Sequence, residues 1–477
     1  MTRATYRLLK HFPASWFAWL CLAGILMLPN FAQAARIGDV TQVDAWEQAR
    51  LFFNWGNSYV RSQWIGCLLI GACCGLLGSF IVVRRMALMG DMLSHAVLPG
   101  IVLGFLWNLK KDPILLLVGA IIAGLVAVGF VTALKRTTRL KQDASLGIVL
   151  GGFYAIGICL LSMVQRMQTG DKSGLSNILI GSAAAISDSD LWLIGIVTAI
   201  SAILIFIFFK ELVVSSFDPA FAKSIGVPER GLHYLLMALL SFAVVISIQA
   251  VGVVLVSALL IIPAATATLL THRFWLVVVL AVEFGMISAV GGAFTSFLRS
   301  SLPTGPLMIL VAATGFGLAF LCAPESGLIP RFVRRRAQSA RIRRENSLKA
   351  IFHQLESENF SAERVDIADL VNRRQREEED VLREIQQLAK HGFVELTGES
   401  LRLTDTGWRK ARQVVRNHRL WELYLTHAAD IAPDHVHDDA EKIEHVLGEE
   451  VVRTLEARFG EEAIDPHGRE VPVASQS

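Results

Sequence analysis

The sequence predicts an all-α polytopic membrane protein that carries a C-terminal winged-helix and helical dimerisation-like domain. Hydrophobic residues make up 53% of the chain and charged residues 18%, whereas about a quarter of the residues in a soluble protein are charged. Apolar runs dominate up to Cys322, and charged residues dominate from Arg331 onward. The net charge of +3 is too small to indicate nucleic acid as a partner of the whole chain.

The first 35 residues have the pattern of a signal peptide or a signal anchor, and the sequence leaves both open. Basic residues precede an apolar stretch from Trp16 to Leu28, and Ala32 to Ala34 form a small-residue motif typical of a cleavage site. Residues 36–60 would then be extracytoplasmic.

Nine membrane-spanning helices are predicted after this segment, because nine apolar runs approach the ~20 residues that cross a bilayer. They are Ser62–Val83, Met86–Trp107, Pro113–Leu134, Ser145–Val164, Leu191–Phe209, Gly231–Gln249, Val251–Leu270, Phe274–Leu298 and Gly305–Cys322. The basic connectors all fall on one side when the spans are counted, so the positive-inside rule predicts an inner-membrane protein with a cytoplasmic C-terminal domain.

Two ionisable residues interrupt the second span. Asp91 and His95 are four residues apart, so they share one face of a helix, and Pro99 and Gly100 follow. A charge inside a membrane normally faces a cavity or a partner, and an imidazole beside a carboxylate suits manganese, iron or zinc. The alternative is a hydrogen-bonded pair that only ties helices together.

The segment RRMALMGDMLSHAVLPG from Arg84 to Gly100 resembles the signature of ABC permeases that import manganese, zinc or iron. Val251–Leu270 and Leu302–Pro306 resemble two further stretches of that family, and residues 61–324 form the predicted permease domain. The resemblance implies an ABC ATPase subunit, an extracytoplasmic metal-binding receptor and a second permease subunit as partners, in a homodimer or a heterodimer within membrane lipid. It implies no cofactor for the permease.

The loop Ser215–Arg230 is the candidate site of coupling to the ATPase. Asp218 can cap a short helix that starts at Pro219, and Gly226 can end it. The resemblance implies that this loop, with Ala222 in its helix, docks the ATPase; an ordinary connector is the alternative. The chain contains no GxxxxGK[ST] motif, so ATP hydrolysis is assigned to another polypeptide and the chain is not predicted to be an enzyme.

The C-terminal part alternates short amphipathic helices with a small hairpin, which is typical of a winged helix-turn-helix. A basic linker is predicted over 325–346, a winged-helix domain over 347–410 and a metal-binding, dimerisation-like domain over 411–477. The stretch HGFVELTGESLRLTDTGWRKA resembles the wing of metal-dependent repressors of the diphtheria-toxin and manganese-regulator type, and the resemblance covers most of 345–472.

Side chains at metal-ligand spacing occur on two predicted helices of this domain. Glu441, Glu444 and His445 converge on one face, and His418 with Glu422 repeats the spacing. The resemblance places metal ligands at His418, Glu422, His437, Glu441, Glu444 and His445. It allows manganese or iron as the metal, and Glu441 favours manganese, because iron-type members have a cysteine at this position and manganese-type members a glutamate.

Two departures from the repressor pattern weigh against a fully working repressor. Asn346 and Lys349 stand where manganese-type members have acidic ligands, and the predicted recognition helix begins with the acidic run Glu377–Asp380. The leading hypothesis is therefore a permease with a metal-sensing tail. The alternatives are a degenerate fold kept for dimerisation and a membrane-tethered or released metal-dependent transcription regulator, for which DNA would be the partner.

Overall fold

The computed structural model describes residues 45–54, 56–109, 112–167, 181–183, 186–298, 302–374, 377–428, 449–459, 464–465 and 468–472. The predicted signal segment lies outside these ranges. The chain divides into two compact units, Met1–Arg331 and Phe332–Ser477.

The first unit is helical wherever it is described. Its helices are α1 (Ala45–Phe52), α2 (Ser58–Val83), α3 (Ala87–Ala96), α4 (Leu98–Asn108), α5 (Pro113–Thr137), α6 (Gln142–Arg166), α7 (Asp188–Ile207), α8 (Phe209–Phe217), α9 (Pro219–Ser224), α10 (Glu229–Val251), α11 (Val253–Leu270), α12 (Phe274–Leu298) and α13 (Thr304–Cys322). Within the described residues there are nine spans long and apolar enough to cross a membrane, with α3 and α4 together forming one. The predicted number of spans is confirmed.

The second span is interrupted at a single residue where the sequence predicts one continuous helix. α3 ends at Ala96 and α4 begins at Leu98, with Val97 between them. Proline has no N–H, so Pro99 cannot donate to the carbonyl of His95 as a residue in an unbroken helix would. Val97 keeps right-handed helical dihedral angles, and its N–H donates to the carbonyl of Leu93, so α3 and α4 continue as one span with a local irregularity.

Close packing of α2 against α12 depends on glycine. A Cβ added at Gly71 would lie 2.3 Å from the carbonyl oxygen of Gly285, and one added at Gly75 would lie 2.2 Å from that of Ala281. Lipid tails are as apolar as leucine, so membrane helices associate through such close backbone contact. These small residues therefore allow the backbones of α2 and α12 to approach closely.

The second unit has the predicted winged-helix pattern. Its elements are α14 (Leu328–Ser357, which begins in the first unit), β1 (Val365–Asp366), α15 (Ile367–Arg374), α16 (Glu378–Lys390), β2 (Val394–Thr397), β3 (Ser400–Leu403), α17 (Asp405–Ala428) and α18 (Glu449–Phe459). Leu348, Ile351, Ile385 and Leu388 belong to its buried core, which joins α14 to α16.

Two features of this unit differ from the predicted pattern. The wing hairpin β2–β3 gains a third strand, β1, which pairs antiparallel with β3. Two residues are too few for a strand pattern to be visible in sequence. The stretch predicted as a basic linker is helical from Leu328, because arginine is a good helix former.

Candidate functional site

Asp91 and His95 face one another on α3. His95 Nε2 lies 3.6 Å from Asp91 Oδ1, and the side chains are 13% and 36% exposed, respectively. The spacing of four residues places them one turn apart, as predicted.

Two side chains from other helices contact this pair, and the sequence analysis did not predict either of them. Ser257 of α11 donates a hydrogen bond of 3.1 Å from Oγ to Asp91 Oδ1. Tyr154 of α6 packs edge to face on the His95 ring, with 4.8 Å between ring centroids. The signals were present, since Ser257 and Tyr154 each place a hydroxyl within an apolar run, but the pairing depends on packing between spans.

The pair remains open to a further ligand. His95 Nδ1 is buried and has no hydrogen-bond partner among the residues that the structure describes. Over the same residues no group of three or more His, Cys, Asp or Glu side chains is placed to hold a metal. Two protein ligands leave several coordination positions of a transition metal to water or to other groups, which suits a site that must also release its ion.

The loop predicted to dock an ATPase has the predicted capping. Asp218 accepts a hydrogen bond of 2.9 Å from the backbone N–H of Phe221, and Pro219 opens α9. Gly226 has φ +83°, a conformation that glycine adopts without strain. Ala222 is buried and Phe221 is 53% exposed, so α9 is anchored on one face and presents an aromatic side chain on the other.

Arg84 connects this region to the second span. Its guanidinium donates to Ser216 Oγ at 2.9 Å and to Ser215 Oγ at 2.6 Å, both near the end of α8. Arg84 precedes α3, and α8 leads directly into α9. A polar contact therefore joins the segment that enters the Asp91–His95 helix to the segment that enters the predicted docking helix.

In the second unit, His418 and Glu422 form a second pair on α17. His418 Nε2 lies 2.9 Å from Glu422 Oε1, and both side chains are 3% exposed. Lys349 of α14 lies against this pair, with Nζ 3.0 Å from His418 Nδ1. An ammonium can only donate, so Nδ1 accepts from Lys349 and Nε2 carries the proton that is donated to Glu422.

These residues do not fit a divalent metal at His418 and Glu422. Metal binding needs a free imidazole lone pair, and Lys349 already uses the one on Nδ1. The neighbouring Asn346 supplies an uncharged amide, whose buried Oδ1 has no hydrogen-bond partner among the described residues. The other predicted ligands, His437, Glu441, Glu444 and His445, lie outside the described residues.

The acidic start of α16 is exposed. Glu378, Glu379 and Asp380 occupy its first turn, where carboxylates stabilise the partial positive charge of the helix N-terminus. Arg383 pairs with Glu379 at 2.7 Å and with Asp380 at 3.4 Å. The acidic residues thus stabilise the N-terminus of α16, and Arg383 beside them is paired with two of their carboxylates.

Residues 57–323 match the model of the ABC 3 transport family, which covers more than half of the chain. The chain belongs to the ABC 3 transport family. Residues 404–473 match a second model, described as the iron dependent repressor, metal binding and dimerisation domain. A multi-pass permease of this family with a repressor-like C-terminal domain confirms the predicted fold class.

Several characterised proteins resemble this ABC 3 chain. The manganese transport system membrane protein MntC of Bacillus subtilis is 36% identical over 375 residues, which is 78% of this chain and 86% of that protein. The zinc transport system membrane protein TroC of Treponema pallidum is 40% identical over 276 residues, covering 58% of this chain and 92% of that protein. The alignment with MntC is longer than residues 1–323, so that similarity continues into the C-terminal part.

The solved structure of PsaBC from Streptococcus pneumoniae in complex with Fab is also similar, with 34% identity and a TM-score of 0.55. The match covers 61% of this chain and 99% of that one. Almost the whole of that chain is matched, so this ABC 3 protein shares its fold over the matched length.

Proposed function

We propose that this chain is the membrane-spanning subunit of an ATP-driven importer of divalent transition metal, with manganese the favoured substrate. The open pair of Asp91 and His95, inside a span of an ABC 3 permease, carries this proposal. The relatives named for manganese and zinc transport support it. A nitrogen and an oxygen ligand accommodate manganese, iron and zinc, so the pair itself does not choose among them.

The ATPase-docking surface of this importer is the helix α9 with its caps Asp218 and Gly226. Its supporting features are the buried Ala222, the exposed Phe221 and the contact of Arg84 with α8. The proposal includes a separate ATPase, an extracytoplasmic metal-binding receptor and a second permease subunit. The proposal also keeps the predicted domain boundaries, with the permease domain over residues 61–324 and the C-terminal domains over residues 347–410 and 411–477.

The C-terminal domain is proposed to be cytoplasmic and to adjust transport in response to metal. Its helix α16 presents exposed carboxylates that would meet DNA phosphates, and this opposes the alternative of a transcription regulator. Any response to manganese or iron is assigned to the four predicted ligands from His437 to His445, because Lys349 engages His418.

Uptake of manganese by the reconstituted importer tests the transport proposal. Asp91→Asn and His95→Ala each remove one ligand, and we expect each to lower uptake by at least about 100-fold, since losing even an outer-shell partner costs 10–100-fold in metal affinity. Metal content of the vesicle lumen, measured in the presence of ATP and the partner subunits, gives the rate.

Two control variants remove a carboxylate and an imidazole at positions outside the Asp91–His95 pair. Glu283→Gln deletes a carboxylate from α12, and His272→Ala deletes an imidazole that is 76% exposed and paired with Glu325. Both should retain uptake. Normal uptake by Asp91→Asn and His95→Ala in correctly inserted protein would reject the pair as the metal site.

A further inference from the structure

Three side chains from two helices of the C-terminal unit form a buried chain of hydrogen bonds. Lys349 of α14 contacts His418 Nδ1 at 3.0 Å, and His418 Nε2 contacts Glu422 Oε1 at 2.9 Å on α17. Lys349, His418 and Glu422 are all buried. Long charged side chains are rarely buried to this extent unless they are paired, so this contact belongs to the core of the unit.

Lys349 and Glu422 place opposite charges on the two sides of the His418 imidazole. The ammonium of Lys349 carries one positive charge, the carboxylate of Glu422 one negative charge, and the imidazole between them is neutral with its proton on Nε2. A metal ion at the same place would bind the Nδ1 lone pair and add two positive charges beside the ammonium. Lys349 and a metal therefore exclude one another at His418.

We propose that the Lys349 ammonium takes the place of a divalent metal at His418 and Glu422, so that α14 is fastened to α17 by a cation that belongs to the chain. The position supports this proposal: Lys349 supplies positive charge at the imidazole nitrogen that a metal would otherwise need. The fastening persists whatever the metal concentration. The contact between α14 and α17 is thus not a metal-responsive element of the tail.

An ordinary buried contact would have the same geometry, but it predicts a different effect of charge reversal. If Lys349 merely fills space, replacing it by glutamate leaves two carboxylates near one imidazole and only destabilises the unit. If Lys349 stands in for a metal, glutamate gives the site two carboxylates and an imidazole with a free lone pair, a ligand set that suits manganese. Charge reversal should therefore convert a metal-independent contact into a metal-dependent one.

Hydrogen exchange of the full-length protein in detergent, with and without manganese chloride, tests this directly. The peptides to follow cover residues 345–357 on α14 and 414–426 on α17, which contain the three side chains of the contact. In the wild-type protein we expect manganese to leave exchange in both peptides unchanged. In Lys349→Glu we expect fast exchange without metal and about 100-fold slower exchange with manganese at 100 times its Kd.

Two further variants separate charge from packing. Lys349→Met keeps the volume of the side chain but offers neither ammonium nor ligand, so its peptides should exchange faster than wild type with or without manganese. Lys390→Glu makes the same charge reversal at an exposed position of α16 and should behave as wild type. Manganese-dependent protection of these two peptides in the wild-type protein would overturn the proposal, even if Lys349→Glu fails to fold. A folded Lys349→Glu protein without any manganese response would overturn it equally.

Discussion

The two units of the molecule use the same pair of residues in opposite ways. Asp91 with His95 and Glu422 with His418 each place an imidazole and a carboxylate four residues apart on one helix. In the membrane unit the carboxylate is 36% exposed, and His95 Nδ1 has no partner among the described residues. In the C-terminal unit both side chains are buried and Lys349 fills the remaining position on the imidazole.

This difference shows that ligand spacing alone does not define a metal site. Spacing fixes which side chains share a helix face, whereas the element packed against that face decides whether the ligands stay available. α11 brings a neutral hydroxyl, Ser257, to the first pair, and α14 brings an ammonium to the second. A hydroxyl orients a carboxylate without competing for the site, and an ammonium occupies it.

The largest expected effect comes from placing a lysine beside the Asp91–His95 pair, as Lys349 lies beside His418 in the C-terminal unit. Ser257→Lys would place an ammonium next to Asp91, and we expect it to abolish metal uptake because the lysine charge repels the incoming cation and pairs with the carboxylate. Ser257→Ala removes only the orienting hydrogen bond and should lower uptake by no more than about 100-fold. Uptake rates of the two variants in vesicles, compared at equal amounts of inserted protein, measure the difference.

If Ser257→Lys and Ser257→Ala transport equally well, the Asp91 carboxylate does not meet the metal and the comparison between the two pairs fails. Ser288→Lys, at a buried serine of α12, controls for the cost of placing a lysine in the bundle. Its amount in the membrane shows how much insertion is lost from the charge alone.

Much of the architecture was predictable because membranes impose a simple length and polarity rule. Nine apolar runs gave nine spans, and Asp218, Pro219 and Gly226 gave a capped helix, since both depend on local chemistry. The break at Val97 was missed although Pro99 had been noticed, because a proline can kink a helix or end it and packing decides which. The partners Ser257 and Tyr154 were missed because they come from other spans.

The site in the tail was predictable in part for the same reason. The sequence showed that Lys349 is unsuited to be a ligand, but the contact between its Nζ and His418 joins residues 69 positions apart. The contact forms only when two helices pack together. The sequence of either helix alone does not determine how the two are aligned. The strand β1 was missed because only its pairing with β3 makes it a strand.

A third pair of a histidine and a carboxylate, His353 and Glu356, predicts how the stability of the C-terminal unit depends on pH. His353 Nδ1 lies 3.2 Å from Glu356 Oε2 on α14, and burial lowers the pKa of His353 from 6.5 to about 4, although hydrogen bonding to Glu356 opposes the shift. Arg419 and Lys349 also lower it, and Arg469 lies 3.5 Å away. Burial alone would raise the pKa of Glu356, but the hydrogen bond and charge of Arg419 lower it.

The unfolded chain binds a proton at His353 near pH 6.5, and the folded chain does so only near pH 4, so the folded state loses stability as pH falls through this window. The loss should approach about 3 kcal/mol, and it is complete below pH 4. Glu356 contributes at lower pH, because its lowered pKa stabilises the fold above 4.5 and this contribution is lost only as pH falls further.

Hydrogen exchange of residues 345–357 in the full-length protein, corrected for the intrinsic pH dependence of exchange, measures this loss. His353→Gln should remove most of the dependence between pH 6.5 and 4. His391→Gln, at an exposed histidine of the same unit, should keep it. A flat profile in the wild-type protein would show that His353 is protonated in the fold, and the third pair would then resemble neither of the other two.

The smallest expected effect concerns mechanical coupling between the Asp91–His95 pair and the predicted docking helix α9. The His418–Glu422 pair is not proposed to have such a coupling. Arg84 donates to Ser215 and Ser216 on α8, so movement of α8 and α9 would be transmitted to the segment that enters α3. Arg84→Gln should leave association with the ATPase intact but raise the ATP hydrolysed per metal ion transported by about threefold to tenfold, the equivalent of losing one hydrogen bond or two of ordinary strength. Ser215→Ala with Ser216→Ala removes the acceptors instead of the donor and should raise the ratio as much, whereas Arg85→Gln, at the exposed neighbour, should not change it. An unchanged ratio in both Arg84→Gln and the double serine variant would mean that the contact only packs the two segments, and the transmission would then have to pass through the core contact of Phe80 with Phe209.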